Sequence, residues 1–547
     1  MNAKPWRGLL LLLALSFALG AAAAEPADEM PVWRYTVRPG DTLIGIAQRY
    51  LIKAWQWPAI QQANQVDDPH HILPGTVLRI PAAMLRRAPA EAKIEASSGT
   101  VRWRPPDGDW RNAVSGQELA AGSTLETLDD ASALLRLADG SSLLLSPNSQ
   151  IVLDSLSVFA GGLMVDSRLR LQRGQTDVTA NPDKGANRHL RIQTPSAQAV
   201  VRGTRFRVGV DSEMTREETL VGRVGVSAAG RRVSVRSGHG TVARLGAPPI
   251  KPVALLPAPD VTALPARFEQ LPLRFPVPQL AGALAWHGEI APDDAFDRLL
   301  RSKTAQGAAL TFADLPNGNY VLRLRAADIN GLQGLDAMHR FVVFARPFSP
   351  GLNAPGDTAT IREAQAVFAW SAVFEVARYR VQVASEASFA RPLHDASSEQ
   401  NTWQVPAELP VGPLYWRAAS VDRVGQQGPW SPAAGFTYKP GPGEVDLGQA
   451  SIEFLDETIV LNLPPAPEGL FYEATLSSAA DLQPALAQAQ ASTDALALPR
   501  PDGGSYYLGV RLVDRSDNTR GPAAVQVLQV PYSRLWLLLL LLPLALL

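Results

Sequence analysis

The sequence predicts a mainly β protein made of several domains. Three observations support this fold class: a length of 547 residues, 45 prolines with 42 glycines, and many short apolar runs that alternate with polar residues. Alternation with a period of two is typical of half-buried strands, and proline and glycine mark the turns between them. The length allows about four or five domains.

Composition excludes several classes of function. The formal net charge is only -1, so no bulk charge steers the chain to nucleic acid or to a membrane surface. The chain contains no cysteine, which excludes a disulfide scaffold, a lipid-anchored cysteine and thiol catalysis. We therefore expect no nucleic-acid partner.

Residues 1–24 predict a secretory signal peptide. Lys4 and Arg7 precede an apolar run from Leu9 to Leu19, and small residues end at Ala24. A charged start, a short apolar core and a small-residue cleavage site define such peptides. We expect secretion to the periplasm of a Gram-negative cell envelope.

The C-terminal tail, residues 533–547, is apolar from Leu535 onward. A helix of its length reaches roughly 20 Å, short of the ~30 Å hydrocarbon core of a bilayer. A marginal membrane anchor, aided by Trp536 and Arg534, is the favoured interpretation. A processed sorting tail and a buried terminal segment remain alternatives.

Residues 33–82 predict a small βααβ unit. Polar residues alternate with Tyr35 and Val37 at its start and with Leu78 and Ile80 at its end, as in half-buried strands. A helical apolar stripe lies between them, preceded by capping residues and followed by a second helix start and a turn. These positions are Leu43, Ile46, Ala47 and Tyr50 for the stripe, Asp41 or Thr42 for the cap, Pro58 for the second helix and Pro74-Gly75 for the turn.

This unit resembles a LysM module over its whole length. The matching positions are Tyr35-x-Val37, Gly40-Asp41-Thr42-Leu43, Ile46-Ala47, Ile60, Ala63-Asn64, Ile72, Pro74-Gly75 and Leu78-x-Ile80-Pro81. The resemblance implies binding of the N-acetylglucosamine-containing glycan of peptidoglycan or chitin in a shallow groove, largely through backbone groups. The implied glycan-binding residues are Gly40, Asp41, Thr42, Leu43, Ile72, Leu73 and Pro74. Asp41 and Thr42 are also expected to cap a helix, and Leu43 to be core, which is compatible with this role.

Residues 93–246 form a series of strand-like runs with glycine turns, such as Asp139-Gly140. They resemble a FecR domain, the extracytoplasmic module of proteins that control iron-uptake sigma factors. The matching residues include Gly99-Thr100-Val101, Gly122-Ser123-Thr124-Leu125, Leu135 to Ser141, Leu171-x-x-Gly174, Thr194-Pro195, Arg202-Gly203-Thr204-Arg205-Phe206 and Gly222-x-Val224-x-Val226. The resemblance implies an envelope protein partner.

The chain departs from the signalling FecR proteins in one respect. Those proteins carry a cytoplasmic anti-sigma segment and a transmembrane helix ahead of the domain, where this chain has the predicted signal peptide and LysM unit. Their regulatory activity is therefore not carried over. Arg202, Arg205 and Arg207 allow a basic patch on one strand, but the favoured interpretation is a solvated strand face, and these residues indicate no ligand.

A proline-rich stretch, residues 247–279, predicts an extended, semi-rigid linker. A repeat follows in three copies, at residues 280–347, 348–440 and 441–532, with landmark aspartates at Asp328, Asp422 and Asp514. The copies resemble fibronectin type III or related Ig-like sandwiches. We expect their tryptophans to be core. The alanine-rich segment from Leu476 to Leu498 in the third copy allows a helix.

No catalytic constellation is visible. The histidines are scattered except for one loop pair, so no zinc-ligand spacing occurs. They are His70, His71, His189, His239, His287, His339 and His394. Serine nucleophile motifs and phosphate-binding glycine loops are also missing from the sequence. A carboxylate-pair glycosidase leaves no motif, because its spacing is set by the fold. We expect no catalytic residues, metal or cofactor.

The sequence thus favours a non-catalytic, secreted envelope protein that binds peptidoglycan and presents its other modules as an interaction or scaffold array. The alternative is an envelope signalling component whose FecR-like domain regulates a membrane sensor or a sigma-factor system. A peptidoglycan hydrolase is the third hypothesis.

Overall fold

The computed structural model describes residues 31–181, 187–201, 203–492 and 495–532. The chain divides into two compact units, residues 1–344 and 345–547, and both are mainly β. The predicted signal peptide and C-terminal tail lie outside the described residues. Among the helices that are described, none is long and apolar enough to cross a bilayer.

The first unit starts with the predicted βααβ fold. Its elements are β1 (Val32–Thr36), α1 (Leu43–Tyr50), α2 (Trp57–Asn64) and β2 (Val77–Pro81), with short 3₁₀ helices at Ala54–Gln56 and Ala82–Met84. β1 pairs antiparallel with β2, and Tyr35 lies opposite Leu78. The predicted stripe of α1 is buried at Leu43, Ile46 and Ala47. The following module supplies Phe159, Ala160 and Met164 to the same core, so the unit is packed on its neighbour.

The second module is a closed β-barrel that begins before the predicted boundary at residue 93. Its first strands are β3 (Arg87–Pro89), β4 (Ala92–Ser98), β5 (Val101–Arg104), β6 (Arg111–Asn112), β7 (Glu118–Leu119), β8 (Thr124–Thr127), β9 (Ser132–Arg136), β10 (Ser142–Leu145), β11 (Gln150–Phe159) and β12 (Met164–Thr179). The others are β13 (Arg188–Gln193), β14 (Gln198–Val201), β15 (Arg205–Asp211), β16 (Met214–Val221), β17 (Arg223–Ala228), β18 (Arg231–Arg236), β19 (His239–Arg244) and β20 (Val253–Ala254). A 3₁₀ turn, Ala160–Gly162, joins β11 to β12.

The long strand β12 holds the barrel together. Its first half pairs with β11 and with the parallel strand β13, and its second half pairs with β10 and β15. Alternate residues of these strands fill one apolar core, as the period-two pattern predicted. The Asp139-Gly140 turn joins β9 to β10 as expected, with Gly140 at φ +83°.

The proline-rich stretch is packed and does not form the expected extended linker. Ile250 donates its N–H to Val242 O at 2.9 Å, and Leu255 donates to Gly238 O at 2.9 Å. Its second half enters the next module, where Leu264 and Phe268 are buried. Prolines are tolerated here because the intervening residues supply the N–H groups for strand pairing.

The third module is a β-sandwich of a five-stranded and a two-stranded sheet. The larger sheet has the order β21 (Arg267–Phe268), β27 (Ala337–Val343), β26 (Gly318–Ala327), β23 (Ala285–Ala291) and β24 (Arg301–Ala305). The smaller sheet pairs β22 (Leu273–Pro276) with β25 (Ala309–Phe312). The sandwich thus takes its first strands from residues assigned by sequence to the linker.

Arg207 corrects the interpretation of a solvated strand face. Its side chain is fully buried, because the first sandwich covers β15. The guanidinium donates to Gln333 O at 2.7 Å and to Gly334 O at 2.6 Å, and pairs with Asp336 at 3.0 Å. Only Arg205 fits the earlier expectation in part, since its side chain is 43% exposed. Arg202 is not among the described residues.

Other buried charges extend this contact between barrel and sandwich. Arg323 pairs with Asp177 of the barrel at 3.0 Å and with Glu289 at 2.6 Å. Arg325 pairs with Glu289, and these two arginines hold the pKa of Glu289 well below its usual range against the opposing effect of burial. Burial itself raises the pKa of Glu218, which accepts from the Gln333 N–H at 3.0 Å.

The second unit contains two further sandwiches. The first has a three-stranded sheet in the order β28 (Leu352–Ala354), β30 (Val367–Trp370), β33 (Thr402–Gln404). Its second sheet has the order β29 (Ala359–Ile361), β36 (Ala434–Tyr438), β34 (Gly412–Asp422), β31 (Val376–Ala384), β32 (His394–Ser398), with β35 (Gln427–Trp430) beside β34. The next follows a 3₁₀ turn at Leu447–Gln449 and has a three-stranded sheet in the order β37 (Ser451–Phe454), β38 (Thr458–Asn462), β41 (Ala495–Pro499). Its four-stranded sheet has the order β40 (Ala485–Ala491), β39 (Leu470–Ser477), β42 (Gly504–Asp514), β43 (Ala524–Val530).

The repeats share the turn that the sequence marked by aspartate. Oδ1 of Asp328 accepts from Asn330 N at 2.8 Å, that of Asp422 from Val424 N at 3.0 Å, and that of Asp514 from Ser516 N at 2.9 Å. Each aspartate thus closes the loop behind a long strand.

Two expectations about the second unit have opposite outcomes. Trp370 and Trp416 are fully buried, as predicted for core residues. The alanine-rich segment is not helical, since β40 and β41 occupy it. In the sequence ALAQAQA, alanine and glutamine alternate, and pairing with β39 overrides the helical preference of alanine.

Candidate glycan-binding groove

The loop between β1 and α1 is built around Asp41. Gly40 takes a φ of +83°, which favours glycine, and Asp41 N donates to Arg38 O at 3.0 Å. The Asp41 carboxylate accepts from Arg38 N at 2.8 Å and from the Tyr35 hydroxyl. Burial, together with the hydrogen bond to the charged Asp41, raises the pKa of Tyr35 to about 12. Asp41 therefore fixes the shape of the loop.

Thr42 and Leu43 connect this loop to α1. The Thr42 hydroxyl accepts from Gly45 N at 3.0 Å, which confirms the predicted N-cap. Leu43 is completely buried, and its N–H donates to Pro69 O at 2.8 Å. Its side chain belongs to the core, as the sequence predicted, and its backbone N–H already has a hydrogen-bond acceptor within the protein.

The loop between α2 and β2 lies beside the loop at Asp41. His70 N donates to Asp68 Oδ1 at 2.8 Å, and this bond, followed by the contact with His71, lowers the pKa of Asp68. Further along, Ile72 is half-buried against the core, while Leu73 is 79% exposed. Pro74 is exposed as well.

Backbone bonds place the two loops side by side. Besides the bond between Leu43 and Pro69, Val37 donates to Thr76 O at 2.8 Å and Gly75 donates to Val37 O at 2.9 Å. Gly75 takes a φ of +89°, as its turn requires. The predicted residues therefore lie together at one end of the βααβ unit.

The surface formed by the two loops combines exposed apolar side chains with exposed backbone. Leu73 and Pro74 offer exposed apolar area, and Gly40, with no side chain, allows close approach to the backbone. Asp41 and Thr42 are half-exposed, with their side chains engaged in the bonds described above. Leu43 is the one predicted residue whose side chain a ligand cannot reach.

Sequence reasoning did not assign Asp68, Pro69, His70 or His71 to the groove, although they lie in its second loop. The signal available was their position between the last residues of α2 and the predicted Ile72. In the described parts of the chain, no group of three or more His, Asp or Glu side chains has the arrangement of a metal site.

Comparison with protein families assigns this unit. The LysM domain model matches residues 35–81. Residues 35–81 are a LysM domain. The two loops described above lie within it. A second model, described as FecR protein, matches residues 123–225, which run from β8 into β17 of the barrel. The LysM domain and the FecR segment therefore follow one another in the first unit, as the sequence predicted.

The solved structures that match stretches of this chain have low TM-scores. One, described as an anti-sigma factor from Parabacteroides distasonis, is 12% identical with a TM-score of 0.20, and the match covers 24% of this chain and 59% of that chain. The chicken CNTN1 FN1–FN3 domains are 13% identical with a TM-score of 0.22, covering 50% and 98%. A two-domain fibronectin type III segment of chicken tenascin is 10% identical with a TM-score of 0.21, covering 33% and 99%. No match was found among curated proteins.

Proposed function

We propose that this protein is a non-catalytic component of the cell envelope that binds peptidoglycan through its LysM domain. The observation that carries the proposal is the LysM domain itself, with its two loops joined by the bond between Leu43 N and Pro69 O. In this proposal the chain is secreted, and the barrel and the sandwiches form an array that presents interaction surfaces away from the glycan.

The buried contact between barrel and first sandwich supports a scaffold role. Ion pairs such as Arg207–Asp336 hold the two modules in a fixed arrangement, so surfaces on either module keep a constant geometry. No reaction is needed to explain any of these contacts, and we keep the expectation that the protein has no catalytic residues.

Sedimentation with purified peptidoglycan tests the proposal. The intact protein should pellet with the polymer, and chitin oligomers should compete for binding. A protein that stays in the supernatant at all concentrations of peptidoglycan would exclude wall binding. In the same samples, muropeptide analysis should show no new products, and dose-dependent products would show that the protein is a hydrolase.

The FecR match favours one alternative function. In this second candidate, the barrel binds an envelope protein of a membrane-sensor or sigma-factor system. Affinity capture from envelope extracts, with intact protein and with peptidoglycan-binding variants, separates the two. A sensor or sigma-factor regulator captured equally by both proteins would favour signalling, whereas capture that requires peptidoglycan binding would favour the scaffold.

A further inference from the structure

A run of positive charge lies on the last part of the barrel. No aspartate or glutamate occurs between Glu218 and Asp260, whereas six basic residues do. They are Arg223, Arg231, Arg232, Arg236, Arg244 and Lys251. The whole chain has a formal net charge of -1, so this charge is a local concentration on the hairpin of β17 and β18 and the chain that follows it. Such a patch attracts anionic ligands.

Two arginines of this hairpin face each other directly. Arg223 of β17 lies opposite Arg236 of β18, and both are exposed. Ser237 N donates to Gly222 O at 3.0 Å, so the next pair along is a non-hydrogen-bonded one, with Cα atoms about 4.5 Å apart. In the described part of the chain neither arginine forms an ion pair, and Arg236 Nε donates to His239 Nε2 at 3.3 Å. Like charges directly opposite each other destabilise a sheet, and here no carboxylate of the described chain compensates them.

The rest of the outer face of this hairpin is flat. Gly225 lies opposite Ser234, and Ser227 lies opposite Arg232. The Arg232 guanidinium lies over Gly225, since a Cβ added to this glycine would stand 2.6 Å from its Nη2. Arginine side chains thus cover a strip whose other outward residues are small.

The opposed arginines lie at the end of the sheet where the LysM domain is attached. Arg34 of β1 donates its N–H to Asn187 Oδ1 at 2.8 Å, and Asn187 Nδ2 donates to Arg34 O at 2.9 Å. Asn187 directly precedes β13, and the register of β13, β14, β17 and β18 places Arg223 and Arg236 at this same end. Three strand spacings of about 4.8 Å separate β13 from β18, so the two arginines lie roughly 14 Å along the sheet from the LysM contact.

A second opposed pair lies at the LysM contact itself. Arg34 is directly opposite Arg79 of β2, and both are exposed. The backbone N–H groups of these two residues donate to the side chains of Asn187 and Asn64, so this pair is also of the close, non-hydrogen-bonded kind. Among the residues that the structure describes, no carboxylate forms an ion pair with either arginine. The unit that contains the LysM loops therefore holds two uncompensated arginine pairs.

We propose that the hairpin pair, Arg223 and Arg236, and the LysM pair, Arg34 and Arg79, bind carboxylate groups on the peptide stems of peptidoglycan while the LysM loops bind its glycan. The inference rests on the proposed function and adds the peptide as a second recognised part of the same polymer. A guanidinium group donates two parallel hydrogen bonds to a carboxylate. Two such groups on adjacent strands hold one carboxylate between them, which offsets their mutual repulsion.

Attachment of the glycan favours peptidoglycan over other anions as the ligand. Once the LysM loops hold a glycan strand, its peptides stay near both arginine pairs, and their binding becomes an intramolecular step with a high effective concentration. A lipid surface fits less well. Gly225, Ser227 and Ser234 lie between the arginines of the hairpin, whereas surfaces that insert into lipid carry bulky apolar side chains beside their cations.

Three ligands separate the contributions of glycan and peptide: intact peptidoglycan, glycan strands freed of peptides by an amidase, and chitin oligomers. The full-length protein should bind intact peptidoglycan more tightly than the peptide-free strands. The double variant Arg223→Gln, Arg236→Gln should bind intact peptidoglycan about fivefold more weakly and both peptide-free ligands equally well. Added salt should weaken peptidoglycan binding of the natural protein more than that of this variant, because salt screens the charge contacts.

The double variant Arg267→Gln, Arg340→Gln is the matched control. It removes two exposed arginines of the first sandwich, so its net charge equals that of the hairpin variant, and both arginines already pair with carboxylates. It should bind all three ligands like the natural protein. Equal losses in the two variants, or unchanged binding of the hairpin variant to intact peptidoglycan, would overturn the inference. If the natural protein binds none of the three ligands, the proposed function itself is wrong.

Vesicles of phosphatidylglycerol and phosphatidylcholine test lipid as the alternative ligand. The natural protein and the hairpin variant should bind these vesicles to the same extent. Vesicle binding that the hairpin variant loses, together with unchanged binding to intact peptidoglycan, would assign the arginines to lipid and overturn the inference.

The repulsion between the opposed arginines has a readout that needs no ligand. Arg223→Gln alone should raise the melting temperature slightly, because it removes one of two like charges that lie directly opposite each other. Far-UV circular dichroism follows the melting and checks the fold. A lower melting temperature would show that the protein itself compensates this pair, which would contradict a role in binding an anion.

Discussion

Arg207 of the barrel and Asp336 of the first sandwich form a buried ion pair, with Nη1 3.0 Å from Oδ1. Burial lowers the pKa of Arg207, and the neighbouring carboxylates oppose this effect. The charge is retained because Glu218 and Asp336 compensate it and because its Nη2 donates hydrogen bonds to the carbonyl oxygens of Gln333 and Gly334. The pair therefore fixes the sandwich on the barrel.

Arg207→Met should destabilise the first unit strongly. The substitution leaves the buried Glu218 without its paired cation, whereas Asp336 keeps its pair with Arg325 at 3.0 Å. The loss of one partner of a buried pair costs about 3–5 kcal/mol. Arg205→Met is the matched control, since Arg205 pairs with the same aspartate at 3.1 Å but is partly exposed. It should cost about 1 kcal/mol or less. Urea unfolding measures both free energies, and equal losses would contradict the assigned role of burial.

A pH-dependent contribution is expected from Glu217, a barrel residue beside Glu218. Burial raises its pKa to about 8, and its Oε1 accepts from the Thr219 hydroxyl at 2.7 Å. The folded state thus keeps a proton that the unfolded state loses near its ordinary pKa of about 4.3. Since the folded state binds more protons between these values, the stability falls as pH rises from about 4.3 to about 8.

Glu217→Gln should remove this part of the pH dependence. The amide resembles the neutral acid, so the variant should match the natural protein near pH 4 and exceed it in stability by a few kcal/mol at pH 8. Calorimetric unfolding across this range measures the difference. A constant difference at every pH would show that Glu217 does not titrate differently in the two states.

The sequence predicted local structure well, but it did not predict which side chains are buried by distant parts of the chain. The cap at Thr42 and the turn at Gly75 follow from residue type, because each depends on a few neighbouring bonds. The burial of Arg207 does not, since it depends on a sandwich more than one hundred residues away in the chain. Likewise, the β40 segment became a strand because β39 lay beside it, which alanine content cannot reveal.

The same limit explains the proline-rich stretch, and it changes what proteolysis should show. A solvated linker is cut early, but here Leu335 N donates to Leu256 O at 2.9 Å and Val342 N to Ala266 O at 2.9 Å. These bonds should protect residues 247–279, because cleavage requires local unfolding. Mass spectrometry of early fragments should find no first cut in this stretch. Early cleavage there would show that these contacts open readily.

The turn at Gly75 offers a test of the second loop. Gly75→Val places a β-branched residue at a φ of +89°, which should distort the loop although the space around it is open. Binding of chitin oligomers should fall sharply. Thr42→Ala, which removes only the cap, should cost about 1 kcal/mol of stability and weaken binding modestly. Circular dichroism checks the fold, and unchanged affinity in folded Gly75→Val protein would exclude the second loop from the site.

Leu73 gives the most direct test of the groove, because its side chain is 79% exposed and supports no core. Leu73→Ser should leave the melting temperature almost unchanged while weakening peptidoglycan binding several-fold, since apolar contact with the sugar is lost. Trp55 is the matched control. It is 71% exposed and lies beyond the far end of α1, about 12 Å from the groove loops by helix length. Trp55→Ser should bind peptidoglycan like the natural protein in the pelleting assay. If Trp55→Ser loses binding and Leu73→Ser does not, the glycan contacts the other end of the LysM domain.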